Sequence, residues 1–169
     1  MNLTIKEDTE LQNKLFSSLK TLSETQVDIG LLPSAGGQLA FILGVQTHGS
    51  PIMHIPPRPV VQPALQQTSV RTAIAEGFAQ SLSAAMEGDP AGVTAGLESA
   101  GQAGADGIRA YIDAGIAPPN SPVTVSGGWV YNRVAKTGVP VEGKGFNKPL
   151  YDTGQLYNEF DYDVVSSKS

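Results

Sequence analysis

The chain has 169 residues and a mass of 17.6 kDa, a length that predicts one domain large enough to bury a hydrophobic core. It has no cysteine and only two histidines, which excludes disulfide scaffolds, thiolate metal sites and cysteine nucleophiles. The formal net charge of −5 argues against a surface that binds nucleic acid phosphates, because such a surface needs clustered lysine and arginine. Only 16% of residues are charged, while glycine (19) and proline (12) are frequent. This composition is more typical of a protein that packs against copies or partners than of a free monomer.

The N-terminal residues 1–14 contain Glu7, Asp8 and Glu10 among scattered apolar residues, which is not the pattern of a signal peptide. The longest apolar run, residues 39–45, is too short to cross a bilayer. We therefore expect a soluble protein that is made in the cytoplasm and does not enter a membrane.

The first predicted element is a short amphipathic helix, in which Thr4 and Glu7 have the spacing of a capping box. Its apolar stripe consists of Leu11, Leu15, Leu19 and Leu22. The pattern then changes to alternating polar and apolar residues over 26–31, which predicts a strand. Turn residues at 33–37 and an apolar stretch at 38–46 predict a second strand that forms a hairpin with the first and lies centrally in the sheet.

A proline-rich loop over residues 47–60 is expected to run extended along a surface. The next segment, 61–86, is predicted to be helical because apolar residues recur at every fourth position: Val70, Ile74, Phe78, Leu82 and Met86. A second long helix is predicted over residues 91–116.

This second helix is rich in glycine: Gly92, Gly96, Gly101, Gly104 and Gly107. Each glycine costs up to about 1 kcal/mol relative to alanine in an exposed helix, so some other interaction should compensate. Close backbone packing against another helix is the expected compensation. The alternative is a helix that is interrupted within the glycine-rich segment 88–116.

Residues 117–150 form an irregular excursion, in which Ser121 opens either a short helix reaching Val134 or a strand-like segment, split by Gly127 and Gly128. A short capped helix at 152–156 and a last strand at 157–165 complete the chain. The sequence therefore predicts a single α+β domain over residues 1–169. Its small antiparallel sheet of about three to four strands packs against two long helices, with long Pro/Gly-rich loops.

The titratable residues form no pattern typical of catalysis. His48 and His54 lie six residues apart in the proline-rich loop, without a metal-ligand spacing or a third ligand nearby. Asp161 and Asp163 share one face of the last strand, which is most simply its solvated face. The Gly/Lys-rich segment 143–148 lacks the spacing of a phosphate loop. We therefore predict no catalytic residue, no cofactor and no metal site.

Two motifs carry a resemblance to a known family. The first is GVQTHG at 44–49 followed by IPPRPVVQPAL at 55–65, and the second is KPLYDTGQLYN at 148–158. In this order, separated by a helical middle, they resemble the neck and tail-completion proteins of tailed bacteriophages. The first motif departs from the family pattern at Val60, where an aromatic residue is usual.

The resemblance implies a non-enzymatic virion protein at the head–tail junction, made in the host cytoplasm. It implies a ring of identical copies, a hexamer or dodecamer, around the DNA channel. The implied partners are neighbouring neck, portal-side or tail proteins, with non-specific passage of DNA through the lumen and no contact with a membrane. A ring needs a heterologous interface, in which one face of a copy docks on a different face of its neighbour.

The candidate interface residues come from three places in the chain. They are Arg58 and Pro59 in the first motif, Trp129 and Tyr131 in the irregular segment, and Asp152, Thr153 and Gly154 in the second motif. Arg58 is expected to present its guanidinium to a carboxylate of the neighbour. Asp152 is expected to cap the short helix. The two aromatic residues fit either a small satellite core or interface anchors, and the sequence leaves both open.

Two other classes of function compete with this hypothesis. One is a small soluble enzyme that uses the Asp161/Asp163 or the His48/His54 pair, although the missing triad, metal and phosphate motifs make it the lesser choice. The other is a generic peptide- or protein-binding module that uses a sheet edge. A stable monomer with a well-formed apolar pocket would favour either of them.

Overall fold

The computed structural model describes residues 9–52, 54–132, 136–151 and 153–166. Within these ranges the chain forms seven helices and four strands, and the predicted α+β class is confirmed. The helices are α1 (Thr9–Ser23), α2 (Gly37–His48), α3 (Val61–Gln66), α4 (Thr68–Glu87), α5 (Pro90–Asp113), α6 (Pro122–Ser126) and α7 (Gln155–Asn158). The strands are β1 (Thr25–Leu31), β2 (Gly128–Asn132), β3 (Thr137–Val141) and β4 (Phe160–Ser166).

The four described strands form two separate antiparallel pairs, β1 with β4 and β2 with β3. The predicted hairpin between residues 26–31 and 38–46 is wrong, because residues 37–48 form α2. This segment is apolar without alternation, and a short apolar run of that kind fits a helix as well as a buried strand. The partner of β1 is therefore β4, which lies more than a hundred residues away in sequence.

The chain divides into two compact units, and each is assembled from segments that are distant in sequence. Unit 1 contains residues 1–32, 65–107 and 161–169, and unit 2 contains residues 33–64 and 108–160. No proline- or glycine-rich linker separates them, since α3, α5 and β4 each run across a boundary.

The two long helices of unit 1 pack through small residues. A Cβ atom added to Gly96 of α5 would lie 2.5 Å from the backbone nitrogen of Ser81, and one added to Gly77 of α4 would lie 2.6 Å from that of Ala100. Both distances are far shorter than any real carbon contact, so the two backbones touch. The close packing expected from the glycine content of α5 is thereby confirmed, and the helix is continuous.

An apolar cluster adjoins this helix contact in unit 1. Its buried members are Ala85, Val93 and Leu97, with Leu22, Val27, Ala84 and Val164 packed against them. The hydroxyl of Ser81 is buried and donates to the backbone oxygen of Val93 at 2.7 Å. This hydrogen bond satisfies the one polar side chain in the middle of the α4–α5 contact.

The apolar stripe that indicated the helix is exposed over most of α4. Phe78, Leu82 and Met86 are exposed, while the buried face consists of Val70, Gly77, Ser81 and Ala85. Both sets repeat at helical spacing, so periodicity alone favours the larger residues. The contact with α5 is too close for side chains of that size, and the small-residue face takes the inside position.

The remaining elements follow the predictions with shifted ends. The predicted helix over 61–86 is divided into α3 and α4 at Gln67, whose ψ of 136° is extended. The irregular segment contains α6 and the β2–β3 pair, so both alternatives raised there are partly realised. In α1, Leu11 and Leu19 of the predicted apolar stripe are exposed, and Ser18 is buried. The capping pair Thr4 and Glu7 lies outside the described residues.

Candidate assembly interface

Arg58 is fixed inside its own chain. Its side chain is 6% exposed, its Nε donates to the carbonyl of Pro118 at 2.7 Å, and its Nη2 donates to the carbonyl of Pro119 at 2.9 Å. Nη1 donates to the side-chain oxygen of Gln46 at 3.3 Å, and the backbone nitrogen of Arg58 donates to the backbone oxygen of Gln46 at 2.6 Å. We expected this guanidinium to face a neighbouring copy, but it is buried and binds carbonyl and amide oxygens of its own chain. We call this set of hydrogen bonds the internal clamp.

The clamp could not be recognised in the sequence because its acceptors lie about sixty residues away. Pro118 and Pro119 stand outside helices and strands, so their carbonyls need donors from elsewhere. Arg58 supplies two of them from one planar group. Burial lowers the pKa of Arg58, although a guanidinium remains charged at any physiological pH. Pro59, the adjoining candidate, is exposed.

The second motif is held by an ion pair that the sequence analysis missed. Lys148 Nζ lies 2.9 Å from Asp113 Oδ1, and the hydroxyl of Tyr157 donates to Asp113 Oδ2 at 2.7 Å. The hydrogen bonds from Lys148 and then Tyr157 lower the pKa of Asp113. The same carboxylate raises the pKa of Lys148 and that of Tyr157. Asp113 is the last residue of α5 and had no sequence signal beyond its charge.

Aromatic side chains surround this ion pair. The rings of Tyr151 and Tyr157 meet edge to face with centroids 5.6 Å apart, and Phe146 meets Tyr151 in the same way at 6.2 Å. Lys148 Nζ also lies 5.1 Å from the centroid of the Tyr151 ring. Edge-to-face pairs and cation–π contacts of this kind each add a modest stabilisation. The residues of the second motif thus form a small ordered cluster rather than a flexible loop.

The candidates in the turn before α7 have a local role. Asp152 lies outside the described residues. Thr153 is exposed, and its Oγ1 accepts a hydrogen bond from the backbone nitrogen of Gln155 at 3.3 Å. Gly154 is buried and has a φ of 78°, a conformation in which a side chain would be strained.

The two motifs behind the resemblance line one cleft in unit 2. The cleft has a volume of about 1140 Å³. Its lining includes His48, His54 and Arg58 in the region of the first motif, and Gln155 and Leu156 in the second motif. The motifs are about a hundred residues apart in sequence, and the fold of unit 2 brings them together around a shared space.

The β2–β3 pair has apolar side chains on both of its faces. Trp129 pairs with Pro140 and Tyr131 pairs with Gly138, so the two aromatic residues share one face. The opposite face carries Val130, Val139 and Val141. All ten residues of the two strands are exposed, with Trp129 at 73% and Tyr131 at 63%. We call these strands, residues 128–132 and 137–141, the hairpin arm.

This exposure decides between the two roles that the sequence left open for Trp129 and Tyr131. They are not part of a satellite core, because neither side chain is buried. An isolated two-stranded hairpin is at best marginally stable in water, and one that is apolar on both faces has even less reason to stay exposed. The hairpin arm is therefore a candidate surface for contacts with a partner.

A second set of exposed apolar residues lies on α1 and α4, which pack together in unit 1. Its residues are Phe16, Leu19, Phe78, Leu82 and Met86, all exposed. The three on α4 recur at every fourth position and so lie on one face of the helix. We call this set the helical ridge. It is the outer counterpart of the small-residue face that α4 turns toward α5.

The two units differ in charge. By sequence, unit 1 has five Lys/Arg and twelve Asp/Glu, a net charge of −7, while unit 2 has six and four, a net charge of +2. The turn of the hairpin arm carries Lys136, and Glu87 is the last residue of α4 beside the ridge. The net charge of the whole chain hides this asymmetry.

Of the two residue pairs in the enzyme hypothesis, His48 and His54 line the cleft of unit 2, and the acidic pair belongs to β4. Asp161 and Asp163 are exposed on β4, which confirms the predicted solvated face. Across residues 9–52, 54–132, 136–151 and 153–166, no group of three His, Asp or Glu side chains is placed to hold a metal ion. None of the helices in those ranges combines the length and apolar character needed to span a bilayer.

The geometry thus offers two apolar surfaces of opposite local charge and a cleft, all suited to contacts with other proteins. No protein family model describes this chain, and comparisons with curated proteins and with solved structures give no significant match. The functional argument consequently depends on the surfaces themselves.

Proposed function

We propose that this protein is a non-enzymatic structural component of a tailed-phage virion. In this proposal identical copies form a ring at the head–tail junction, around the channel through which DNA passes. Its partners are further copies of itself and the neighbouring neck, portal-side or tail proteins. The motifs at 44–65 and 148–158 suggest the family, and the exposed surfaces supply the physical argument.

The observation that carries the proposal is the hairpin arm, whose Trp129 and Tyr131 are more than half exposed. Large aromatic residues of this kind are common at the centres of protein interfaces. A monomer that stayed free in solution would gain nothing from them and would risk aggregation. In a structural protein that becomes part of an assembly, these side chains are buried when the assembly forms.

The net charge of −5 also suits a conduit for DNA. A lumen that attracted phosphates would hold the duplex by counterion release, and DNA would then move through it slowly. An acidic wall repels the duplex and a neutral wall does not attract it, so either leaves the DNA free to slide.

The direct test is to find the protein in particles. Antibody labelling of purified virions, viewed by electron microscopy, should place the label at the head–tail junction. Labelling on the head shell or the tail tip, or particles that lack the protein, would reject the proposal. The control is a phage strain without the gene, whose preparations should contain separate heads and tails that have not joined.

The oligomeric state gives an independent measurement. Light scattering of the purified protein across a wide concentration range should show a species larger than a monomer, and electron microscopy of that species should show closed rings. A ring of six or of twelve copies would also fix the symmetry, which the chain itself leaves open.

A further inference from the structure

We propose that the hairpin arm of one copy docks on the helical ridge of the next copy and that this contact is the repeating interface of the ring. The inference rests on the proposed function, and it specifies which surfaces of the chain meet. The arm lies in unit 2 and the ridge in unit 1, so every copy offers one of each.

The sizes of the two surfaces agree. An aromatic side chain presents about 150–250 Å² when fully exposed, so Trp129 and Tyr131 offer roughly 300 Å², to which the three exposed valines of the arm add. The ridge offers a similar area through Phe16, Phe78 and its aliphatic residues. A standard interface buries about 800 Å² per partner, of which a little over half is apolar. Either surface supplies that apolar share.

Their side chains also suit each other. Met86, which is 69% exposed, and Leu82 are flexible and can adapt to the rigid indole ring of Trp129. The arm face that bears Trp129 and Tyr131 has only Pro140 and Gly138 opposite them, so its aromatic rings stand above small neighbours. A projecting aromatic pair and a row of adaptable aliphatic side chains are complementary shapes.

Charge favours a contact between the arm and the ridge over a contact between the arms of two copies. Lys136 at the turn of the arm would face its own copy in an arm-to-arm contact, and like charges repel. At the ridge, Glu87 is the last residue of α4, where the helix dipole is negative as well. The charge difference between units 1 and 2 acts in the same direction over a longer range.

The pairing also has the symmetry that a ring needs. A contact between two different surfaces leaves one free arm and one free ridge on every growing chain of copies, and the chain ends only when it closes. A self-complementary contact of arms would stop at a dimer.

Two complementary variants test the inference with the full-length protein. The arm variant carries Trp129→Ser and Tyr131→Ser, and the ridge variant carries Leu82→Gln and Met86→Gln. Every changed residue is exposed, so both variants should keep the circular dichroism spectrum and thermal midpoint of the wild-type monomer. Each variant alone should be monomeric by light scattering.

An equimolar mixture of the two variants should form a one-to-one dimer and nothing larger. The intact arm of the ridge variant meets the intact ridge of the arm variant, and the two altered surfaces cap both ends. The matched control is Phe41→Ser on α2, which removes a residue that is 71% exposed but belongs to neither surface. This control should assemble as the wild type does.

A charge exchange refines the test. Lys136→Glu and Glu87→Lys should each raise the dissociation constant of the contact roughly two- to fivefold, as expected for an exposed ion pair. The chain with both changes should recover the wild-type constant.

Other outcomes would overturn the inference. They are a wild-type chain that stays monomeric at every concentration, an arm variant that assembles normally, and a mixture that remains monomeric. None of these would by itself reject the proposed function, because labelling of virions decides that question separately. If the antibody label lay away from the head–tail junction but the mixed variants formed a dimer, the proposed function would be rejected and the proposed interface would stand.

Discussion

The α4–α5 contact and the hairpin arm use residue size in opposite ways. Where α4 meets α5, the inside positions are held by Gly77, Ser81 and Gly96, and larger apolar residues of α4 face outward. In the hairpin arm, Trp129 and Tyr131 are more than half exposed and lie opposite only Pro140 and Gly138. The contrast teaches that hydrophobicity alone does not tell inside from outside in this protein. In the α4–α5 contact the small residues of α4 lie inside and its large apolar residues lie outside, whereas elsewhere large side chains such as Phe160 and Ile108 are fully buried.

This division has a physical reason. Small residues let helix backbones approach closely, so many atoms meet at short range and dispersion contacts add up. Large exposed side chains gain their energy only when a partner removes them from water. A chain that assembles can keep both, because its final state is the assembly.

The strongest way to break the internal half of the comparison is Gly96→Leu. A side chain at this position would meet the backbone of α4 at Ser81, which cannot give way as a flexible side chain can. We expect a loss of about 3 kcal/mol in the free energy of unfolding, at the upper end of overpacking effects. Denaturant unfolding measures it.

The matched control for Gly96→Leu is Gly44→Ala. Gly44 also lies within a helix, but a Cβ there meets nothing within 4 Å. Alanine should therefore stabilise the chain by about 0.5–1 kcal/mol through its better helix propensity. If Gly96→Leu left the unfolding midpoint unchanged, the backbone contact between α4 and α5 would be wrong.

Arg58→Ala extends the comparison to unit 2, where a buried charged residue makes the internal contacts. Its loss leaves the carbonyls of Pro118 and Pro119 without their donors, and we expect a cost of about 2 kcal/mol, as for hydrogen bonds to charged groups. Arg58→Lys keeps the charge but has no planar fork and should recover less than half of the loss. If the wild type and Arg58→Ala were equally stable, the internal hydrogen bonds would not matter for folding and Arg58 would again be a candidate interface residue.

Ser81→Ala gives a smaller effect and sharpens the picture of the α4–α5 contact. It removes the buried hydrogen bond to Val93 and should cost about 1 kcal/mol. Ser83→Ala, two residues along the same helix, changes an exposed side chain whose contact with Glu87 is 3.5 Å long. That control should lie within about 0.5 kcal/mol of the wild type, and equal effects of the two would contradict the buried bond.

The smallest effect concerns pH. Lys148 and Tyr157 lower the pKa of Asp113, so the folded chain favours its charged form. This contribution is fully present above the ordinary carboxyl pKa of about 3.9 and is lost as pH falls through the lowered folded value. The thermal midpoints of the wild type and Asp113→Asn should thus differ slightly near neutral pH and converge in acid. Asp161→Asn, which removes an exposed carboxylate on β4, is the control for the loss of one negative charge.

The sequence predicted those features that depend on neighbours along the chain. Composition and periodicity were sufficient for the α+β class, for α5 and for the close packing of its glycines. They failed for α2, because a uniformly apolar segment has no period to read. They failed for the inner face of α4, because two faces of one helix satisfy the same spacing.

Other features depend on residues that meet only after folding. The acceptors of Arg58 and the partners of Asp113 lie tens of residues away in the sequence, so no local sequence pattern predicts these contacts. Trp129 and Tyr131 were visible in the sequence as aromatic residues, but only the tertiary structure decided that they stand exposed on a hairpin. Local propensity acts over a few residues, whereas burial is a property of the whole packed chain. The sequence by itself therefore determined what the elements are made of, and the tertiary structure decided which of their faces are buried and which are left exposed.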